Sequence, residues 1–460
     1  MNPLLLLSIA AYIGVQLAIG AWVSRRIASD DDYLLAGRRF GYGLATFSIF
    51  ATWFGAETCL GAAGQVYGEG LSIASTEPFG YGACLILLGV VFAVPLWRRK
   101  LVTLADLFRS RFSPGVERVA ALLMIPTSAL WAAAQIRAFG HVLSSASAVE
   151  IEIGIGVAAA VVIAYTALGG LLADAITDVV QGLALFLGLA IMLALVVTQL
   201  GGAGPALDAI ATVQASRAAP DAPLLATLEA WAVPVLGSVV AQELVARVSA
   251  SRSPQVAQRS ALAAGVGYVA VGCIPVTLGL LGAHLLPGLA DGEQVLPRMA
   301  QELLPTWGAA LFAGALVSAI LSTVDSTLLV CSSVLSHNLV LPLLPPQSER
   351  AKLRLARAGV VGFGVLATVM AWLGDSVSAL VHEASALGSA GILVCVAFGL
   401  FTRLGGPAAA HVALVGGAAV YAVGVAAELE HPYLTSLGCA LTGYVAVASA
   451  VRSKARIPAA

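Results

Sequence analysis

Long apolar segments recur along the whole chain and are separated by short polar stretches. Each is close to the ~20 residues that an α-helix needs to cross the hydrocarbon core of a membrane. The pattern predicts about 13 membrane-spanning helices in an all-α integral membrane protein. The predicted segments lie near residues 3–23, 41–67, 71–96, 118–145, 150–168, 172–199, 229–249, 260–286, 303–335, 355–374, 378–401, 405–427 and 433–451. No basic residue precedes the first segment, so we expect a retained helix rather than a cleaved signal.

Basic residues are concentrated in alternate loops, which predicts the orientation of the chain. These loops hold Arg25, Arg26, Arg38 and Arg39; Arg98, Arg99, Lys100, Arg109 and Arg111; Arg247, Arg252 and Arg259; and Arg350, Lys352, Arg354 and Arg357. The basic tail, which contains Arg452, falls on the same side. We therefore expect an outside N-terminus and a cytoplasmic C-terminus in a bacterial-type inner membrane.

The composition agrees with a lipid environment. Hydrophobic residues make up 59% of the chain and charged residues 11%, with a mean hydropathy of +0.93. A soluble domain carries about 25% charged residues. The net charge is −1, so there is no basic surface of the kind that nucleic acid requires. The six cysteines show no zinc-binding spacing.

A run of hydroxyl residues lies in the middle of one predicted span. Ala319, Ser322, Thr323 and Ser326 share one helix face, and Asp325 lies among them. Hydroxyl and carbonyl oxygens suit a small hard cation, and a carboxylate inside a membrane needs a cation, a proton or a partner. The alternative is that the hydroxyls bond to carbonyls of their own helix.

Two further stretches place polar groups at membrane depth. Residues 51–58 combine small residues, Gly55 and Glu57, which is typical of an interrupted helix that exposes carbonyls, although close helix packing would also explain them. Residues 165–181 contain a Gly-Gly turn followed by Asp174 and Asp178, one helical turn apart. We expect Asp174 to contact water and Asp178 to lie deeper.

The 165–181 stretch and the Ser-Thr-x-Asp-Ser stretch at 322–326 together resemble the sodium:solute symporter family, and the similarity extends from about residue 5 to 400. The resemblance implies a LeuT-like core of five plus five helices in an inverted repeat. It divides the chain into an additional helix and loop at 1–40, repeats at 41–200 and 201–402, and two additional helices with a basic tail at 403–460.

The resemblance also implies sodium ligands. The expected set comprises the backbone carbonyls of Ala51, Phe54 and Ala319 and the hydroxyls of Ser322 and Thr323. Some family members bind a second sodium ion, and the matching positions are Asp178, Ser322, Asp325 and Ser326. Because Asp325 replaces a neutral hydroxyl of other members, a proton is an alternative to the second sodium ion.

The solute site is expected around the same interrupted helix. Glu77 resembles a substrate-contacting glutamate of sugar-transporting members, and Trp53 and Trp131 resemble two cage residues of choline-transporting members. Ala241 stands where that cage needs a third aromatic ring, so the cage is incomplete. The expected substrate-binding residues are Trp53, Glu57, Glu77, Trp131, Gln135, Arg137, Gln242 and Glu243.

Arg137 is, on this reading, the only basic residue inside a span. Its guanidinium would bind a substrate carboxylate, because the two shapes match. The alternative is a structural pair with Glu57, Glu77 or Glu243.

We therefore expect a sodium-coupled symporter that imports a small polar or carboxylate-bearing solute by alternating access, rather than an enzyme. Its partners are then sodium, the solute and the lipid bilayer. The alternatives are proton coupling through Asp325 or Glu57, a choline- or amine-type transporter, and a transporter-like sensor.

Overall fold

The computed structural model describes residues 3–25, 30–146, 149–217, 223–344, 348–374 and 376–454. These residues are helical almost throughout, and the β contact among them is an isolated bridge between Phe40 and Ser251. The helices are α1 (Pro3–Ser24), α2 (Asp30–Leu35), α3 (Tyr42–Trp53), α4 (Ala62–Glu69), α5 (Phe79–Leu87), α6 (Ala93–Arg98), α7 (Ala105–Arg111), α8 (Pro114–Ala146), α9 (Ile151–Gln199), α10 (Ala203–Ser216), α11 (Leu224–Ala232), α12 (Gln242–Ala250), α13 (Pro254–Leu285), α14 (Val295–Leu303), α15 (Thr306–Ser333), α16 (Glu349–Leu373), α17 (Val377–Ala386), α18 (Ser389–Phe401), α19 (Pro407–Ala426) and α20 (Pro432–Lys454).

Ten helical stretches of the described chain are long and apolar enough to cross a membrane. They are Phe79–Arg98, Pro114–Ser144, Gly170–Gln199, Leu224–Ala250, Pro254–Leu285, Thr306–Val340, Glu349–Leu373, Val377–Phe401, Pro407–Ala426 and Pro432–Val451. Two shorter apolar helices, Ile13–Val23 and Ile151–Ala167, match the first and fifth predicted segments. The remaining predicted segment, near 41–67, is also helical, but the helix is interrupted after the end of α3. Every predicted segment thus coincides with helix, and the all-α membrane fold is confirmed.

The first interruption lies between α3 and α4. Phe54 has φ −88° and ψ 77°, which is outside the helical range, and helix resumes through a π-helical turn at Glu57–Gly61. Residues 51–58 were predicted to contain this break. The last carbonyls of α3 are therefore freed from helical hydrogen bonds at membrane depth.

A second interruption lies between α11 and α12. A π-helical turn at Val233–Gly237 contains Pro234, and Ala241 has an extended ψ of 143° before α12 begins. Each of the two predicted repeats, at 41–200 and 201–402, contains one of these interrupted helices near its start. This correspondence is what an inverted repeat requires, whereas the bounds of the two halves stay a prediction.

A sharp reversal divides α9 into two membrane segments. Gly170 has φ 63°, and a Cβ atom there would lie 2.9 Å from the carbonyl oxygen of Tyr33. Glycine is therefore needed for both conformation and space. The predicted Gly-Gly turn between two spans is confirmed.

Helix α15 is the central helix of the fold. Every residue from Ala315 to Ser333 is buried, and α15 packs on α3, α8, α9 and α16. Its polar residues therefore face protein rather than lipid. This arrangement brings the hydroxyl run of α15 against the broken end of α3.

We predict that Gly188→Ala destabilises the protein, because the added Cβ would clash with the Cβ of Ala315 where α9 packs on α15. Overpacking of this kind costs about 1–3 kcal/mol. Gly267→Ala is the matched control, since its Cβ would meet nothing within 4 Å. Thermal unfolding in detergent should show a lower midpoint for Gly188→Ala alone, and equal midpoints would contradict the close packing of these helices.

Candidate functional site

A group of oxygen atoms joins α3 to α15. The Ser322 hydroxyl lies 2.7 Å from the carbonyl oxygen of Ala51 and 3.0 Å from that of Ala319. The Thr323 hydroxyl lies 3.0 Å from the carbonyl oxygen of Thr52 and 3.3 Å from that of Ala319. We call this group the α3–α15 oxygen cluster. Its neutral oxygens form the donor set that a small hard cation prefers.

Phe54 packs against other aromatic rings through its side chain. Its ring centroid lies 5.1 Å from that of Phe50 and 5.1 Å from that of Tyr268. The hydroxyl of Thr323 bonds to the carbonyl of Thr52 rather than to that of Phe54. Thr52 is not among the ligands predicted from the sequence. Its position in the last turn of α3, where carbonyl oxygens lack a partner within the helix, could have indicated it.

A second polar group, the Arg247 cluster, consists of Arg247, Asp174, Asp178, Asp325 and Ser326. The guanidinium contacts Asp174 and Ser326, and its NH2 atom lies 3.8 Å from Asp178 Oδ2. Ser326 donates to Asp174 Oδ1 at 2.9 Å, and its backbone N–H donates to Asp325 at 2.9 Å. All five residues are buried.

Three expectations about these residues are wrong. Arg247 is fully buried in the Leu224–Ala250 span rather than in a loop, so Arg137 is not the only basic residue inside a span. Asp174 is also buried and does not meet water as expected, because it pairs with Arg247. Helix α12, which follows the break and carries Arg247, is buried in the protein, and hydropathy alone does not reveal this.

A cavity of about 550 Å³ lies beside the interruption between α3 and α4. Its lining includes residues of the loops before α5 and after α13, so it reaches the face opposite the basic loops. The acidic lining residues are Glu57, Glu69, Glu77, Asp291 and Glu293. Among the described lining residues, only His382 can carry a positive charge.

Glu293 belongs to the outer part of this cavity and lies outside the membrane-spanning segments. Its carboxylate accepts a hydrogen bond from the backbone N–H of Ser378 at 3.1 Å. Burial raises the pKa of Glu293, and the negative charge of Asp291 adds to the rise. As the pH falls, Glu293 therefore takes up a proton at a higher pH than an exposed glutamate does, and the outer cavity becomes less negative.

Glu57 lies at the inner end of the cavity, just after the helix break. Its Oε2 accepts from the Gln135 amide at 2.9 Å, and its Oε1 accepts from the backbone N–H of Gly55 at 3.2 Å. Gln135 in turn accepts from the backbone N–H of Ala56 at 2.9 Å. Two predicted substrate-site residues are thus brought together, and Gln135 holds the Glu57 carboxylate in position.

Glu77 reaches the same cavity from the loop before α5. The Tyr268 hydroxyl lies 3.5 Å from Glu77 Oε2, and Glu77 Oε1 is buried with no hydrogen-bond partner among the described residues. No salt bridge in the described part of the chain involves Glu57, Glu77 or Glu243. Glu57 and Glu77 therefore have no basic side chain within salt-bridge distance among the described residues, whereas Arg247 bonds to the backbone carbonyl of Glu243.

Three aromatic rings pack together, and one of them lines the cavity of Glu57 and Glu77. The ring centroids of Trp53 and Trp131 are 5.0 Å apart, and that of Tyr81 lies 6.4 Å from Trp53 and 5.9 Å from Trp131. Tyr81 also lines the cavity, so a third aromatic ring lies beside the two tryptophans although position 241 is alanine. Sequence reasoning missed Tyr81 because nothing in its local sequence indicates this long-range contact.

The other three expected substrate residues do not line the cavity of Glu57 and Glu77, although Gln242 and Glu243 line a second cavity together with Trp131. Arg137 donates to the carbonyl of Ala371 at 3.0 Å, and no salt bridge links it to Glu57, Glu77 or Glu243 among the described residues. Gln242 accepts a hydrogen bond from the backbone N–H of Leu104. Glu243 accepts from the Ser128 hydroxyl at 2.6 Å and lines a separate cavity of about 30 Å³.

Similarity to known proteins extends over most of the chain. A Caenorhabditis elegans high-affinity choline transporter 1 is 26% identical over 77% of this chain and 66% of its own length, so the match leaves about a third of that relative uncovered. The Escherichia coli (strain K12) sodium/pantothenate symporter is 24% identical over 96% of this chain and 95% of its own length.

The fold is similar to that of a solved Na⁺-coupled sialic acid symporter, with a TM-score of 0.86 at 16% identity, covering 97% of both chains. The profile of the Sodium:solute symporter family matches residues 33–417, which is more than half of the sequence. The chain therefore belongs to the sodium:solute symporter family.

Proposed function

We propose that this protein couples the entry of sodium to the uptake of a small organic cation of the substituted-ammonium class. The observation that carries the proposal is the pair Glu57 and Glu77, which line the deep cavity without a basic partner among the described residues. A buried carboxylate without a partner costs several kcal/mol. A cationic solute would supply the missing positive charge.

The aromatic residues support the same class of solute. Tyr81 lines the cavity beside Glu57 and Glu77, and its ring packs against those of Trp53 and Trp131. Aromatic faces attract quaternary and other ammonium groups by about 0.5–2 kcal/mol each. The similarity to choline transporters agrees with this chemistry.

A carboxylate solute, which the sequence favoured, has weaker support. It would meet the carboxyl groups of Glu57 and Glu77, and Arg137 is not among the described residues that line their cavity. Similarity to a sodium/pantothenate symporter keeps this class as the second candidate. A solute with both charges would still place its cationic group at the glutamates.

Sodium coupling is supported by the α3–α15 oxygen cluster. Its ligands come from a broken helix and from the central helix α15, so sodium binding would hold these two elements together. The cavity beside α3 would then be fixed in one arrangement, which links sodium and solute binding. The rival is proton coupling through Asp325 or Glu57, which would not need this cluster.

We further propose that the chain lies in a bacterial-type inner membrane with its basic loops in the cytoplasm and its N-terminus outside. The charge asymmetry of the loops supports this orientation. The large acidic cavity would then open to the outside, where it would collect cations. The membrane potential would add about 2.3 kcal/mol per charge per 100 mV to inward movement.

The solute class can be tested with Glu77→Gln, which removes one negative charge and keeps the shape of the side chain. Choline is the probe, and its equilibrium binding is measured in saturating sodium. We expect the affinity to fall at least tenfold, on the order of 1.4 kcal/mol. Glu430→Gln is the control, because that side chain is 92% exposed. Unchanged choline binding, or binding of pantothenate that improves in Glu77→Gln, would contradict a cationic solute.

The sodium ligands can be tested with two substitutions at Thr323. Thr323→Val removes the hydroxyl and keeps the shape, whereas Thr323→Ser keeps the hydroxyl and removes a methyl group. If the hydroxyl binds sodium, Val should raise the sodium concentration for half-maximal uptake at least tenfold, about 1.4 kcal/mol, and Ser much less. If Thr323 only packs, Ser should cost about 1 kcal/mol of stability and Val almost nothing. Uptake unchanged in sodium-free buffer with a pH gradient would instead favour proton coupling.

A further inference from the structure

The Arg247 cluster occupies the position where some family members were expected to bind a second sodium ion. The positions expected for that ion were Asp178, Ser322, Asp325 and Ser326. In the structure a guanidinium lies among these side chains. An arginine is always ionised in proteins, so it brings a permanent positive charge to this position.

The contacts of Arg247 hold its charge in one place. Its NH2 atom contacts Asp174 and Ser326, and its NH1 atom donates to the carbonyl of Glu243 at 3.3 Å. The side chain is fully buried. Since the guanidinium already bonds to Asp174 and Ser326, it occupies oxygen atoms that a second sodium ion would need as ligands.

The cluster is directly connected to the first cation position. The Ser326 hydroxyl lies 2.8 Å from the carbonyl oxygen of Ser322, whose own hydroxyl belongs to the α3–α15 oxygen cluster. Ser48 donates to Asp178 at 2.7 Å and accepts, through its carbonyl, the hydroxyl of Thr52. The two positions therefore lie side by side between α3, α9 and α15.

We propose that Arg247 is a tethered cation that takes the place of a second sodium ion and thereby limits the protein to one sodium ion in each transport cycle. The inference rests on the proposed sodium coupling. Arg247 is on this account a residue that determines ion stoichiometry, and it does not touch the solute.

Removing the guanidinium should turn the cluster into a site for a second sodium ion. Asp178 Oδ1 is buried with no hydrogen-bond partner among the described residues, and it would become a ligand together with Asp325 and Ser326. Carboxylate and hydroxyl oxygens are suitable sodium ligands, and the buried negative charge left by Arg247→Ala would favour a cation strongly.

The test is to count sodium ions at saturation, by equilibrium binding of radioactive sodium to the purified full-length protein in potassium buffer. We expect one ion per chain in the wild type, one in Arg247→Lys and two in Arg247→Ala. Adding Thr323→Val should weaken one of the two sites in Arg247→Ala, and adding Asp178→Asn should weaken the other.

The outcomes separate this inference from the proposed function. Two ions bound by the wild type, or one ion bound by a folded Arg247→Ala variant, would contradict the proposed role of Arg247 and leave sodium coupling intact. No sodium bound by the wild type would overturn sodium coupling itself. If Arg247→Ala does not fold, Arg247→Gln combined with Asp174→Asn removes a balanced pair of charges, and the same count of two ions is expected.

Discussion

Charged side chains buried inside a membrane protein need a partner of opposite charge. The positions of the buried acidic and basic side chains are the constraint on which the rest of this structure depends. Asp174 and Asp178 lie beside one guanidinium, whereas Glu57 and Glu77 line a cavity and form no salt bridge among the described residues. Lipid cannot solvate such groups, and the cost of leaving them bare is large. On the proposed function, the carboxyl groups of this cavity would bind the transported organic cation.

The two broken helices make these sites possible. An unbroken helix satisfies its own carbonyls, so it could offer only side chains to an ion. The end of α3 instead presents the carbonyls of Ala51 and Thr52 to the hydroxyls of α15. The break before α12 turns Arg247 inward to the carboxylates of α9. The proposed sodium site, the proposed solute site and the fixed charge of Arg247 would thus lie around the same two interruptions.

Much of this arrangement could be predicted from the sequence. The apolar segments predicted the helices, Gly55 and Glu57 indicated the first break, and the 319–326 run predicted a polar face on a buried helix. Tyr81 and Arg247 could not be assigned, because their roles depend on contacts with residues distant in sequence. Arg247 also lies near the end of an apolar segment, where hydropathy does not separate a loop from a buried half-helix.

The central claim is that a sodium ion and an organic cation bind to coupled sites. The most direct measurement is the affinity of the purified protein for choline in sodium and in potassium buffer, together with its affinity for sodium with and without choline. The account predicts that each ligand tightens the other by the same factor, five-fold or more, as a coupling of about 1 kcal/mol or above requires. Choline binding that is equally tight in sodium and potassium would contradict it.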